Sequence, residues 1–338
     1  MAHIILKRSS FFHNLDIIAA TCGSKEKIAL VLKDNAYGHG LIEMATLAAQ
    51  YGITRAVVRH VHEAKRVAEY FEYILILADT TYAPNPKFHY TLNALEDIDK
   101  LPAQCNVELK VDTGMHRNGI DARELEEAFT RIAQRKLRLK GLFSHHRSAD
   151  TLSSEWFWQR HCFEKIKAQA KTLHQRHSHE PLACHISNSA ALFREGACND
   201  AMVRVGIAAY GVLELDATLT MPPLQPVLSL YAEKISSRVL RPHERIGYNG
   251  TYTATENHDA ATYNIGYADG FMRCYAPQFR TPEGIAVLGR ISMDNSSFDT
   301  TKETLLLFDD ARVAARAGGT ITYEVLSALK ADLQRHIV

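Results

Sequence analysis

The sequence predicts an α/β fold: an eightfold (β/α)8 barrel of parallel strands followed by a smaller β-rich domain. Two observations carry this. Through the first two-thirds of the chain, short β-branched runs alternate with longer segments of helical period, the signature of parallel strands joined by helices. After Gly211 the helical period fades and alternating segments take over, with a break at Met221-Pro222-Pro223. The 338 residues suffice for one large barrel plus a second domain. The expected division is 8–222 for the barrel and 223–338, together with residues 1–7, for the second domain.

Eight barrel strands are expected, at 27–33, 55–58, 73–78, 88–91, 107–112, 139–145, 183–186 and 203–206. Amphipathic stretches between them include 41–51, 62–70, 122–135 and 155–174. Within 122–135, Leu125, Ala128, Phe129 and Ile132 recur at helical spacing, so one face is apolar. The run TTYAPNPK at 80–87 is too short and Pro-rich for a crossover helix, which keeps an open sheet as the alternative architecture. In the second domain strands are expected at 227–235, 245–253, 261–266, 284–288, 296–298 and 304–308, with a closing helix at 322–335.

Composition excludes several classes. A net charge of +1 and 46% hydrophobic residues describe a globular protein with no basic excess for nucleic acid. The opening MAHIILKRSSFFHN lacks the basic-then-apolar pattern of a signal peptide, and no apolar run is long enough to cross a membrane. Six cysteines scattered without pairing motifs point to a reduced, cytoplasmic protein. Histidine occurs 17 times, yet no metal site is expected. His60 and His62 fall where a strand ends, and His174, His177 and His179 have no carboxylate or cysteine to complete a ligand set.

Chemistry collects at the strand ends, where a barrel places its active site. Lys33 ends the first strand and opens KDNAYGHG; Asp112 ends the fifth and His145 the sixth. A desolvated lysine holds a larger share of neutral amine, which can form a Schiff base with an aldehyde cofactor; the alternative is a lysine that snorkels out of the strand end. Ser187-Asn188-Ser189 opens a helix after strand seven, and Gly206-Ile207 follows strand eight. Both suit an anion, the first through free backbone N–H groups and the second through a residue without a side chain.

The blocks KDNAYGHG, KVDTGMHRNGI (110–120), ISNSAA (186–191), VRVGIAAYG (203–211), GYNGTYTA (247–254), IGYADGF (265–271), GRISMD (289–294) and ITYEV (321–325) resemble, in order, those of the alanine racemase family. That resemblance implies pyridoxal 5'-phosphate held covalently by Lys33. Tyr37, Ser189, Gly206, Ile207 and Tyr323 would surround its phosphate. Arg204 would face the pyridine nitrogen and His145 lie against the ring. Arginine cannot hand over its proton, so the ring would be a restrained electron sink.

Racemisation removes a proton from one face of a carbon and returns one to the other. The resemblance gives these roles to Lys33 and Tyr248. A free tyrosine, with a pKa of about 10, is a poor base near neutrality; hydrogen bonds from Tyr248 through His145 to Arg204 would stabilise its phenolate. Read without the resemblance, Tyr248 is a sheet aromatic. Lys110, as a possible carbamylated lysine, would orient Arg117 toward the substrate carboxylate, which suits a guanidinium fork. Met293 would offer a backbone contact there. The alternative for Lys110 is a plain Lys–Asp pair.

Some positions depart from the family pattern. His145-His146-Arg147-Ser148 adds positive charge at the mouth, Asn249 stands where glycine is common, and the ending LQRHIV lacks the usual basic and aromatic motif. The function implied is interconversion of L- and D-alanine, supplying D-alanine for peptidoglycan, in a homodimer whose subunits share active sites. Rival readings are a racemase for serine or of broader specificity, and a pyridoxal-phosphate carrier or homeostasis protein on the same barrel. A decarboxylase would carry an acidic residue in place of Arg204, and a metal-dependent barrel hydrolase lacks its histidine pair.

Overall fold

The computed structural model describes residues 1–338. It opens with β1 (His3–Leu6) and α1 (Arg8–Cys22). Eight parallel strands follow: β2 (Ile28–Val31), β3 (Arg55–Val58), β4 (Tyr73–Ile76), β5 (Phe88–Leu92), β6 (Asn106–Lys110), β7 (Arg138–Phe143), β8 (Ala183–His185) and β9 (Val203–Val205). The predicted strands are all present, with ends shifted by a residue or two. Their order is sequential, and β9 returns to pair with β2. The last seam, β8 to β9, narrows to a bridge between Asn188 and Arg204, whose N–H donates to the Ser187 carbonyl at 3.1 Å. The barrel is therefore nearly closed, which excludes the open sheet.

Connecting helices are α2 (Lys33–Tyr37), α3 (Leu41–Tyr51), α4 (Val61–Val67), α5 (Asp97–Lys100), α6 (Leu125–Gln134), α7 (Glu155–Gln175) and α8 (Ser189–Glu195). The apolar face read at Leu125, Ala128, Phe129 and Ile132 is the buried face of α6. No helix forms at 80–87, as the prolines require. Inside the barrel one side is apolar, with Ala29, Val31, Val57, Leu75, Phe143 and Met202 packed together. Packed against it are Tyr73, Glu108, His185 and Arg204, linked by hydrogen bonds, with His89 Nδ1 3.4 Å from the Glu108 carboxylate.

The second sheet runs β14-β13-β10-β1-β16 with β15 also on β10. Its strands are β10 (Leu228–Leu240), β13 (His258–Tyr263), β14 (Ser296–Asp299), β15 (Thr304–Phe308) and β16 (Gln334–Ile337). The first strand of the chain lies between antiparallel β10 and parallel β16. Three expectations need correction. The strand at 245–253 is a hairpin of β11 (Arg245–Ile246) and β12 (Tyr252–Thr253) around a 3₁₀ turn, Tyr248–Gly250. Gly247 and Asn249 at its tip have φ of 74° and 60°, and asparagine tolerates that region where most side chains do not. Residues 284–288 make isolated bridges only. The closing helix α10 (Thr322–Ala328) stops early because its last turn gives way to β16, and an unforeseen helix, α9 (Ala311–Gly318), precedes it.

Candidate active site

Lys33 lies just past β2 and begins a turn of unusual hand. Asp34, Asn35, Ala36 and Tyr37 all have φ near +50°, a left-handed turn costing roughly 1–2 kcal/mol per non-glycine residue. Distant groups hold it. The Glu63 carboxylate accepts from the Asp34 N–H at 2.7 Å, and Asn35 Oδ1 accepts from the Leu41 N–H at 2.9 Å. From the far end of the chain, Arg335 donates to the Gly38 carbonyl through Nε at 3.1 Å and Nη2 at 2.9 Å. At Gly38 itself φ is 75°, and a Cβ would lie 2.0 Å from the Leu326 carbonyl oxygen of α10. Arg335 belongs to LQRHIV, so that ending does retain a working basic residue.

The turn aims Lys33 and Tyr37 into an open cleft of about 750 Å³ shared with Ile321, Tyr323, Glu324 and Ser327. Lys33 is less desolvated than its strand-end position suggested: its side chain is 34% exposed, with Nζ 3.8 Å from Asp34 Oδ2. Beside it the rings of Tyr37 and Tyr323 meet edge to face at 5.7 Å. Burial pushes the Tyr323 hydroxyl up to about 12 and the Tyr37 hydroxyl well above the ordinary range, so both are hydrogen-bond donors. A Cβ on Gly206 would meet the Tyr37 ring at 2.5 Å, which is why a glycine follows β9. Ser189 Oγ accepts from Gly206 N–H at 3.2 Å, and the next N–H, of Ile207, has no partner in the chain. Two unengaged phenol hydroxyls, a serine hydroxyl and a spare amide converge on one place, a donor set that fits a phosphate.

Arg204, 6% exposed, donates to three backbone carbonyls, Ser144 at 2.6 Å, Ile186 at 3.1 Å and His185 at 3.5 Å. It also donates to Nδ1 of His145 at 3.4 Å and to Nδ1 of His185. Burial brings its guanidinium down to about 10, still a cation near neutrality. His145 is pushed far below the usual imidazole range by burial and then by Arg204 and Lys110.

Lys110, at the end of β6, is brought down to about 8 by burial, with Arg117 and Arg204 adding repulsion. Arg117 is exposed and forms no ion pair within the chain. Asp112 is a turn organiser: its carboxylate accepts from the N–H groups of Gly114, Met115 and His116 at 2.8–2.9 Å. The expected positive charge of His145-His146-Arg147 does not materialise. His146 is buried and held neutral, down to about 3, by burial and the nearby Arg160, and Arg147 is paired with Glu155. Arg147 Nη1 instead latches onto the Gly114 carbonyl at 2.7 Å.

Tyr248 and Met293 stand apart from this cleft. They are 63% and 54% exposed, and Met293 N–H has no partner in the chain. One chain thus assembles Lys33, Tyr37, Ser189, Gly206, Ile207, Tyr323, Arg204, His145 and Lys110 at the barrel mouth, but not Tyr248 or Met293. No group of three or more His, Cys, Asp or Glu side chains is placed to hold a metal. Sequence reading passed over Glu108, Tyr73, His89 and His185. The signal was available: Glu108 and Lys110 share one face of β6, so a carboxylate points into the barrel.

Fold and site define a class, the α/β-barrel enzymes with a lysine and an anion cradle at the mouth. The sequence matches the family descriptions "Alanine racemase, N-terminal domain" over residues 6–214 and "Alanine racemase, C-terminal domain" over 227–337. It is 44% identical to an alanine racemase of Nitratiruptor sp., covering 99% of both chains, and 39% identical to one of Campylobacter concisus over the full length of both. Among solved structures, alanine racemase of Clostridium difficile superposes with a TM-score of 0.87 at 26% identity, covering all of this chain and 95% of that one. A histidine racemase of Leuconostoc mesenteroides, at 24% identity and TM-score 0.83, covers all of this chain and 98% of that one and shares the fold. The chain belongs to the alanine racemase family.

Proposed function

We propose that Lys33 carries pyridoxal phosphate covalently and that Tyr248 of a second copy completes the site. The chain interconverts L- and D-alanine. Bound pyridoxal phosphate supplies an aldehyde that condenses with amines and an electron-withdrawing ring that acidifies the substrate's α C–H. Lys33 Nζ takes or returns the proton on one face of the α carbon, and Tyr248 Oη serves the other. Because Nδ1 of His145 accepts from Arg204, the proton of His145 sits on Nε2, free to donate to a phenolate. Tyr37, Tyr323, Ser189 and the Gly206-Ile207 amides hold the phosphate, while Arg117 and the Met293 N–H bind the substrate carboxylate. Carbamylation of Lys110 would give Arg117 the anionic partner it lacks; a lysine near 8 has enough neutral amine to react with carbon dioxide.

The observation that carries this reading is the meeting of Lys33 with the Tyr37–Tyr323 cradle in one cleft. Exposure of Tyr248 and Met293 supports the homodimer, since both lie ready for another subunit's mouth. Residues 8–222 serve as the cofactor-binding domain, and 223–338 with 1–7 as the domain that reaches across. No helix is long and apolar enough to cross a membrane, and all six cysteines are free, which supports work in the cytoplasm, feeding peptidoglycan. The second domain argues against a cofactor carrier. Purified holoenzyme should show a visible band lost, with activity, on borohydride treatment. A chiral assay on alanine, serine and lysine should favour alanine; no change in enantiomer ratio with any of them defeats the reading.

A further inference from the structure

The barrel interior carries a buried carboxylate that the reaction above does not use. Glu108, on β6, is 1% exposed and sits beyond Arg204 as seen from the mouth. Between them lies His185, fully buried. A guanidinium only donates, so Nδ1 of His185 is the acceptor of the Arg204 N–H and its single proton is on Nε2. That proton is donated to Glu108 Oε2 at 2.8 Å. The other oxygen, Oε1, accepts from the Tyr73 hydroxyl at 2.5 Å and lies 3.4 Å from Nδ1 of His89.

The surroundings are shaped for this group. Gly141 pairs with Glu108 across β6 and β7, and a Cβ there would meet the Glu108 carboxyl carbon at 2.7 Å. Burial alone would raise the carboxyl's pKa, but the bond from His185 and the closeness of His89 more than offset it and keep the group ionised. The charged and titratable groups around it are Tyr73 on β4, His89 on β5, Lys110 further along β6, His185 on β8 and Arg204 on β9.

We propose that Glu108 is a positioning residue for racemisation, acting through His185 to fix and charge-compensate the Arg204 guanidinium that faces the cofactor's ring nitrogen. This rests on the placement of the cofactor in the preceding section. A cation in a dry barrel needs a compensating charge. One placed in direct contact would compete with the ring for the guanidinium. Set one imidazole away, the carboxylate neutralises the site while leaving an Arg204 face free. The imidazole's fixed tautomer also orients the fork.

Glu108→Gln tests it, because the amide keeps an acceptor for His185 and removes the charge, Tyr73 turning to accept from the new NH2. In the holoenzyme, the pH midpoint of the bound cofactor's visible band should move down by about half a pH unit or more, since the site becomes more positive. Turnover should fall about tenfold while KM for alanine changes less than about twofold. The same substitution in an Arg204→Gln background should shift the midpoint by less, which a merely structural carboxylate would not explain. A wild-type midpoint and turnover in Glu108→Gln overturn the proposal, as does an undiminished shift without Arg204. Should Glu108→Gln not fold, Tyr73→Phe decides: it removes a bond to Oε1 and leaves the charge, so the midpoint should rise, and an unmoved midpoint overturns the proposal. Absence of the visible band from wild-type protein instead defeats the cofactor placement, independently of Glu108.

Discussion

Arg204 and His145 share a hydrogen bond, Nη2 to Nδ1 at 3.4 Å, and it settles which nitrogen of His145 bears the proton. An arginine cannot accept, so the imidazole must, and its Nε2–H is left pointing away as a donor. Half of the relay expected from the sequence is therefore built within one chain. The other half, from His145 to Tyr248, requires a second copy, since Tyr248 lies exposed at its own hairpin tip.

Tyr248→Phe should cut racemisation by about 10²–10⁴-fold, the usual contribution of a positioned general base. Fold and cofactor content should not change, because the hydroxyl makes no bond within the chain. Turnover by chiral assay and the visible spectrum check both halves. Unchanged turnover removes the two-base assignment.

Lys110 should take up carbon dioxide. With its amine brought down to about 8, the neutral fraction grows steeply between pH 7 and 8. Protein equilibrated with ¹³C-bicarbonate at pH 8 should show a carbamate carbon resonance that is absent from Lys110→Ala. In that variant kcat/KM should drop by about tenfold or more, through a raised KM, as Arg117 loses its orienting anion.

His146→Phe should flatten the acid side of the stability curve. The imidazole packs against Trp156 with neither ring nitrogen hydrogen-bonded, and its pKa in the fold is about 3 against about 6.5 when unfolded. A folded-state pKa below the unfolded one means stability is present above pH 6.5 and lost as pH falls toward 3, by up to about 1.4 kcal/mol per pH unit. Thermal melts from pH 7 to pH 4 should therefore decline less steeply in the phenylalanine variant. A parallel decline contradicts the assignment of a neutral His146.

Arg335→Ala should uncouple the lysine turn from the second domain. Besides the Gly38 carbonyl, Arg335 donates to Lys330 at 3.0 Å, Ala331 at 2.9 Å and Leu333 at 2.5 Å, so several carbonyls lose their donor at once. A loss of about 2–3 kcal/mol in stability is expected. Cofactor occupancy should fall with it. A wild-type melting temperature would show that the latch is dispensable.

Much of this was legible from sequence because a parallel barrel buries both faces of each strand, so β2 to β4 read as near-continuous apolar runs and the later strands as short mixed ones. The mouth was legible for the same reason: Lys33, His145 and Gly206 stand where those runs stop. The second domain read less well, since two-residue strands such as Arg245–Ile246 are too short to show a period. The left-handed turn was invisible. Nothing in Asp34-Asn35-Ala36-Tyr37 favours positive φ at Ala36, and the groups that impose it, Glu63 and Arg335, come from distant segments. Glu108 was hidden differently, since its alternation with Lys110 was visible but its partners lie on three other strands.

The pairing of β1 between β10 and β16 has a consequence for biosynthesis. β1 is enclosed only by segments that follow the whole barrel in the chain, β10 and β16. His3–Leu6 thus waits with open edges through synthesis of the whole barrel, and the Arg335 latch on the lysine turn can close only after β16 has emerged.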